Sequence, residues 1–205
     1  MSPIQFIYFD LGKVLLDFDH RLACRQLADV LGTTEERVWE AVFVSQWQWK
    51  YERGELTTAE LHSLLCETFE VEAELEAVAG AASRIFTPQA EVIELARRLA
   101  AEGRRLGVLS NTCACHWEHC LAQYASFLEP LFERHVLSYK VGAMKPDPAI
   151  YQHAARQAEV SPERILLIDD RPENIEGASA AGWDVIHFVG ADQLADELRN
   201  RQLLG

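Results

Sequence analysis

The stretch "IQFIYFDLGKVLLDFD" (residues 4–19) decides how the rest of the chain is read. Residues 4–9 are apolar and β-branched or aromatic apart from Gln5, which is the pattern of a strand buried on both faces. Asp10 follows at once, with Gly12 two residues on. A carboxylate at a strand end, followed by a turn, is placed as a nucleophile. From residue 20 to 86 the pattern is helical with no clear strand. "RLACRQLADVLG" stops at Gly32, Thr34 is positioned to cap "TTEERVWEAVF", and "TTAELHSLLCETF" and "VEAELEAVAGAASRIF" follow. After Pro88 the rhythm changes. Helical patterns over 89–102, 113–124, 148–159 and "ENIEGASAAG" alternate with the strand-like runs "RLGVLS", "RHVLSY", "RILLID" and "DVIHF". Such alternation predicts an α/β fold built of right-handed βαβ units around a mainly parallel sheet. The helical segment interrupts that rhythm after the first strand, and no Gly/Ser/Pro linker sets it off. It reads as an inserted helical cap over 20–86, with 1–19 and 87–205 forming the core.

Composition narrows the functional classes. The chain has 205 residues, 49% of them hydrophobic, enough for a sizeable core. Nineteen Lys and Arg stand against 32 Asp and Glu, a formal charge of −13. That argues against nucleic acid, whose phosphates demand cations, and against an anionic membrane surface. No apolar run reaches membrane-spanning length, and no basic and apolar leader pattern follows Met1, so a cytoplasmic location is expected. The five cysteines are an odd number in a chain of this length, which speaks against a disulfide framework. The sequence leaves the oligomeric state open.

Four polar groups stand out. Asp10, Ser110-Asn111-Thr112 and Asp169-Asp170 each sit at or just past the end of a predicted strand, and Lys145 lies in the loop "GAMKPDP" after another. Ligands of open α/β sheets bind at the carboxyl ends of the strands, so these groups can meet in one crevice. Asp10 and Asp170 could share a hard cation with oxygen ligands, which suits Mg²⁺. Ser110 and helix N-terminal N–H groups could hold phosphate oxygens, and Lys145 could neutralise both phosphate and carboxylates. Attack of an Asp carboxylate on a phosphate ester would give an acyl phosphate.

Together, "FDLGKV", "LSNT", "MKPDPAIY" and "LLIDDRPENIEGA" resemble the haloacid dehalogenase-like (HAD) hydrolase superfamily over the whole chain. With the "ERGE" turn they are most similar to the branch that includes bacterial α-D-glucose-1-phosphate phosphatase. The resemblance implies a Rossmann-like core with a helical cap, and a Mg²⁺-dependent phosphatase acting on a small-molecule phosphate ester. By the same carry-over, Asp10 is nucleophile and metal ligand, Gly12 offers a backbone carbonyl to the metal, and Asp170 is the second carboxylate ligand. Ser110 and Asn111 bind the transferring phosphoryl group and Lys145 stabilises its charge. Asp169 orients a water on the metal, and Asn174 supports the acidic loop from behind. Gly12 departs from the pattern, since most phosphatases of the superfamily carry an Asp there as proton donor. That step is worth ~10²–10⁴ in rate. A leaving-group-selective phosphatase is therefore expected, and a sugar 1-phosphate fits because an anomeric oxygen leaves with less protonation. A proton relay through Asp17, Asp19, Lys13 or a cap residue is the alternative.

Other features admit plainer readings. Asp17 and Asp19 alternate onto one face, which suits solvent. In "CACHWEHC" (113–120), Cys115/His119 and His116/Cys120 are i,i+4 pairs compatible with zinc, but the pairs lie on different parts of the helix surface and a structural site needs four convergent ligands. Free Cys is also a common core residue. Cys113, near the phosphate loop, is a candidate for oxidation. Trp47, Trp49 and Tyr51 in "SQWQWKYERGEL" (45–56) either stack on a sugar or pack the cap onto the core. Arg53 and Glu55 fix a turn, and the acids over 67–76 form a solvated helical face. Three competing functions remain: a phosphoryl-ligand-binding protein of low turnover, a dehalogenase on the same scaffold, and a metal or redox module at 113–120.

Overall fold

The structure, a computed structural model, describes residues 4–205. Strands β1 (Phe6–Phe9), β4 (Arg105–Ser110), β5 (Arg134–Leu137), β6 (Ile165–Asp169) and β7 (Asp184–His187) form one sheet in the order β5-β4-β1-β6-β7, every pair parallel. The α/β core expected from the alternating pattern is present. β1 is wholly buried because both its faces are covered. Ile7 and Phe9 join one apolar cluster with α6 (Ala90–Ala101), α7 (Ala114–Leu131) and α11 (Ala191–Asn200). Phe6 and Tyr8 join another, with α9 (Pro148–Ala158) and α10 (Pro172–Ala180).

The order places β1 at the centre, where the chain turns from building one half of the sheet to building the other. Phe9 pairs with Val108 on one side and Ile168 on the other. The residues that follow these three, Asp10, Leu109 and Asp169, therefore emerge side by side. This is the switch point at which such sheets bind ligands.

Two elements depart from the sequence reading. "LLDFD" is no solvent-facing tail: Leu16–Phe18 (β2) pairs antiparallel with Phe86–Pro88 (β3), which had been assigned to the end of a helix. Three-residue strands are too short for alternation to reveal them. The second is α11, whose buried Leu194, Ala195 and Leu198 complete the core. Between β2 and β3 lie α1 (His20–Leu31), α2 (Glu35–Trp39), α3 (Trp47–Glu52), α4 (Thr58–Phe69) and α5 (Leu75–Ser83). Their start and stop signals were legible. Gly32 ends α1 with φ 61°, Thr34 caps α2, and Thr57 with Glu60 makes a capping box on α4. Cys24, Leu27, Leu31, Val38, Leu65 and Val78 give this inserted cap its own apolar cluster.

The "ERGE" turn docks the cap onto the core. Arg53 pairs with Glu55 at 2.6 Å, as the turn reading expected. Gly54 has φ +72°, and a Cβ there would lie 2.3 Å from the backbone oxygen of Tyr139, so only glycine allows this approach. Ser138, fully buried on α8 (Ser138–Val141), donates to the backbone oxygen of Glu52 at 2.6 Å and accepts the Thr112 N–H at 2.9 Å. One hydroxyl thus links the cap to the loop after β4.

Candidate active site

The four separated groups do converge. Lys145 is 4% exposed, and its Nζ lies 2.5 Å from Asp169 Oδ2, 2.8 Å from the Leu109 carbonyl and 3.1 Å from Asp10 Oδ1. An ammonium has three donors, and all three find acceptors here. Burial works against the Lys145 charge, but Asp10 and Asp169 outweigh it and its pKa rises. Asp10 also accepts the Leu11 N–H at 2.7 Å. Carboxylate oxygens of Asp10, Asp169 and Asp170 lie within 4.8 Å of one another. Burial pushes Asp10 up to about 7 against the pull of Lys145, and pushes Asp170 up as well, with the Asp169 charge adding to it.

Asp169 is fully buried and fully engaged. One oxygen takes Lys145; the other accepts the Arg171 N–H and Asn174 Nδ2, both at 2.9 Å. Asn174 is in turn fixed by Tyr151, whose hydroxyl donates to its carbonyl at 2.8 Å. In this geometry Asp169 orients Lys145. Asn111 also holds the lysine in place. Its side chain donates to the Lys145 carbonyl at 2.9 Å and accepts the Lys145 N–H at 2.7 Å. Its amide therefore positions the lysine loop. Ser110 is 2% exposed and, with Asn111 and Thr112, lines a pocket that also includes Gly12.

The donor set fits a hard divalent cation. Three clustered carboxylates face one ammonium, every donor is oxygen, and ionising Asp10 without further positive charge is costly. With Asp169 committed, Asp10 and Asp170 are the carboxylates available to it.

The Gly12 position is closed to a side chain. A Cβ there would lie 2.7 Å from Phe18 Cε1, so the β2 aromatic fills the space an acid would need. Gly12→Asp alone is expected to destabilise the protein by ~1–3 kcal/mol of overpacking, without faster turnover of esters with poor leaving groups. Gly12→Asp with Phe18→Ala should recover stability and raise that rate. Equal melting temperatures for Gly12→Asp and the parent would show the ring yields freely.

Neither Asp17 nor Asp19 reaches the pocket. Asp17 pairs with Lys13 at 2.5 Å on the surface, and Asp19 caps α1. Sequence reasoning passed over two titratable groups that line it, His20 and Glu52, and weighed a third, His116, only as a metal ligand. Glu52 is 8% exposed, accepts Gln48 Nε2 at 2.8 Å, and has its carboxyl pushed up by burial. The signal was the close-approach glycine of "ERGE", which brings the residue two before it to the core. His20 is pushed down to about 4, again by burial.

Tyr51 is a packing residue: 2% exposed, its hydroxyl 2.6 Å from Thr58 Oγ1 and accepting the Cys115 N–H at 3.0 Å. Because α3 is a helix, Trp47 and Trp49 diverge; the first is half-buried in the cap and the second is 38% exposed. All five cysteines are free. The i,i+4 pairs do not build a metal site. Among the described residues the cluster within ligand reach is Cys113, Cys115 and His116, which is one ligand short of a closed structural zinc site.

With this geometry in place, the comparisons with known proteins are specific. The chain belongs to the haloacid dehalogenase-like hydrolase family, whose model matches residues 4–182. A sesquiterpene phosphatase of Aspergillus oryzae is 25% identical over 96% of this chain and 95% of its own length. An (S)-2-haloacid dehalogenase of Pseudomonas putida is 26% identical over 97% of this chain and 90% of its own. A solved HAD family enzyme of Bacteroides thetaiotaomicron, in complex with magnesium and inorganic phosphate, superposes with TM-score 0.76 at 24% identity. That match covers 89% of this chain and 93% of the other.

Proposed function

We propose that the protein is a Mg²⁺-dependent phosphomonoesterase that transfers the phosphoryl group of a small metabolite to Asp10. The observation that carries this reading is the Asp10–Asp169–Asp170 cluster sharing a buried lysine at the switch point of the sheet. Displacement of halide by a carboxylate would not call for two further acids, so the cluster favours phosphoryl transfer over the dehalogenation named for the Pseudomonas relative. The relatives named as phosphatases and the magnesium–phosphate complex of the neighbour agree with it.

Asp10 and Asp170, with the Gly12 carbonyl, would hold Mg²⁺. The cation supplies charge that keeps Asp10 ionised and neutralises phosphate oxygens. Ser110 and the following backbone receive the phosphoryl oxygens, and Lys145 offsets their charge while holding the Asp10 carboxylate in line. The Asp10 oxygen attacks phosphorus, the ester oxygen leaves, and an aspartyl phosphate forms; water attack on phosphorus then releases phosphate and frees Asp10. The lack of an acid at Gly12 favours an acidic leaving oxygen such as that of a sugar 1-phosphate. Glu52, whose buried carboxyl is shifted toward the protonated form that donates, is the proton source for less acidic ones.

A panel of aryl, alkyl and sugar phosphates, with and without Mg²⁺, tests this. Hydrolysis should need Mg²⁺. Glu52→Gln keeps the shape and the Gln48 contact. It should slow alkyl esters about 10²-fold or more while leaving activated aryl esters nearly unchanged. Uniform slowing across the panel would make Glu52 a structural residue.

A further inference from the structure

We infer that the substrate's alcohol carries an apolar group, and that the cap holds a dedicated cavity for it; this rests on the ester-hydrolysis reading above and deepens it. A second cavity, of about 40 Å³, lies inside the cap. Its walls include Leu27, Val42, Phe43, Leu65, Val78 and Ala82. His20 and His116 line both this cavity and the phosphate pocket, so the two spaces share a wall. That wall is aromatic: His20 meets Phe18 edge-on at 4.7 Å and Phe43 at 4.9 Å, and His116 meets Phe86 at 5.3 Å.

Several polar groups around the cavity are already engaged. Tyr51 bonds Thr58, Gln48 donates to Glu52, and His62 Nε2 lies 2.7 Å from the Ala73 carbonyl. A sugar placed here would bury hydroxyls with few partners, which is unfavourable. A hydrocarbon would lose nothing and shed water. The space is narrow between side chains, so a slender chain suits it better than a bulky ring system. The phosphate end would sit at Ser110 and Asp10, and the chain would run past His20 and His116 into the cap.

Straight-chain alkyl phosphates from methyl to octyl test this directly, because their leaving alcohols are similar in acidity and differ chiefly in apolar surface. The expected result is a rise in kcat/KM of up to about fourfold per methylene while the cavity fills. Acetyl phosphate serves as a control that needs no cavity. Ala82→Phe, which narrows the cavity without touching the phosphate pocket, should flatten the chain-length series and leave acetyl phosphate hydrolysis intact. A flat series in the parent protein, with acetyl phosphate turned over, overturns the inference and leaves the phosphatase reading standing. If no ester is hydrolysed, that reading fails, and binding to Asp10→Asn by calorimetry still reports on the cavity: octyl phosphate must bind more tightly than methyl phosphate. Equal affinity marks the space as a packing gap.

Discussion

Asp10→Asn is expected to reduce phosphate release by roughly 10⁴–10⁶-fold, because the group removed forms the bond to phosphorus and the rest of the site acts only on that event. The neutral amide is nearly the same size, and it relieves a buried carboxyl that burial already pushes up to about 7. The variant should therefore fold at least as well as the parent. Loss of rate with an unchanged or higher melting temperature separates chemistry from folding. Substantial hydrolysis by Asp10→Asn would remove the nucleophile assignment, whatever the carboxylate geometry.

Lys145→Met should have the largest effect on stability. The ammonium is buried and is the shared partner of Asp10 and Asp169. Removing one member of such a cluster leaves uncompensated charge, a loss of ~3–5 kcal/mol, and at this chain length a fall in Tm of roughly 10 °C. The sign with pH follows from the acids left behind. Without the lysine the folded-state pKa of Asp10, already raised by burial, rises further above its unfolded value. The penalty is then small where the unfolded carboxyls are protonated, near pH 4, and grows as pH rises through neutrality. The Tm difference between parent and variant should therefore widen from pH 5 to pH 8. A constant difference would mean the lysine contributes packing alone.

Much of this was legible from residue order. Strand-end carboxylates, a Ser-Asn pair after a strand and a lysine before proline point to one crevice, because parallel sheets gather strand ends on one edge. The helix caps at Thr34 and Thr57 and the stop at Gly32 were equally plain, since each is a local interaction between neighbours in sequence. What sequence order did not disclose is set by packing between distant residues. The Phe18 ring in the space beside Gly12 depends on a three-residue antiparallel pairing with residues 86–88. The engagement of both Asn111 amide atoms by the Lys145 backbone spans 34 residues. Glu52 gains its place only because Gly54 lets the cap turn approach Tyr139.

The most direct test of the account is to quench turnover with acid in the presence of Mg²⁺ and locate phosphate on the chain by peptide mass spectrometry. A phosphoryl group on Asp10, absent when Mg²⁺ is withheld, is the expected result. Phosphate released at full rate with no label trapped on Asp10, or a label on another residue, would contradict it.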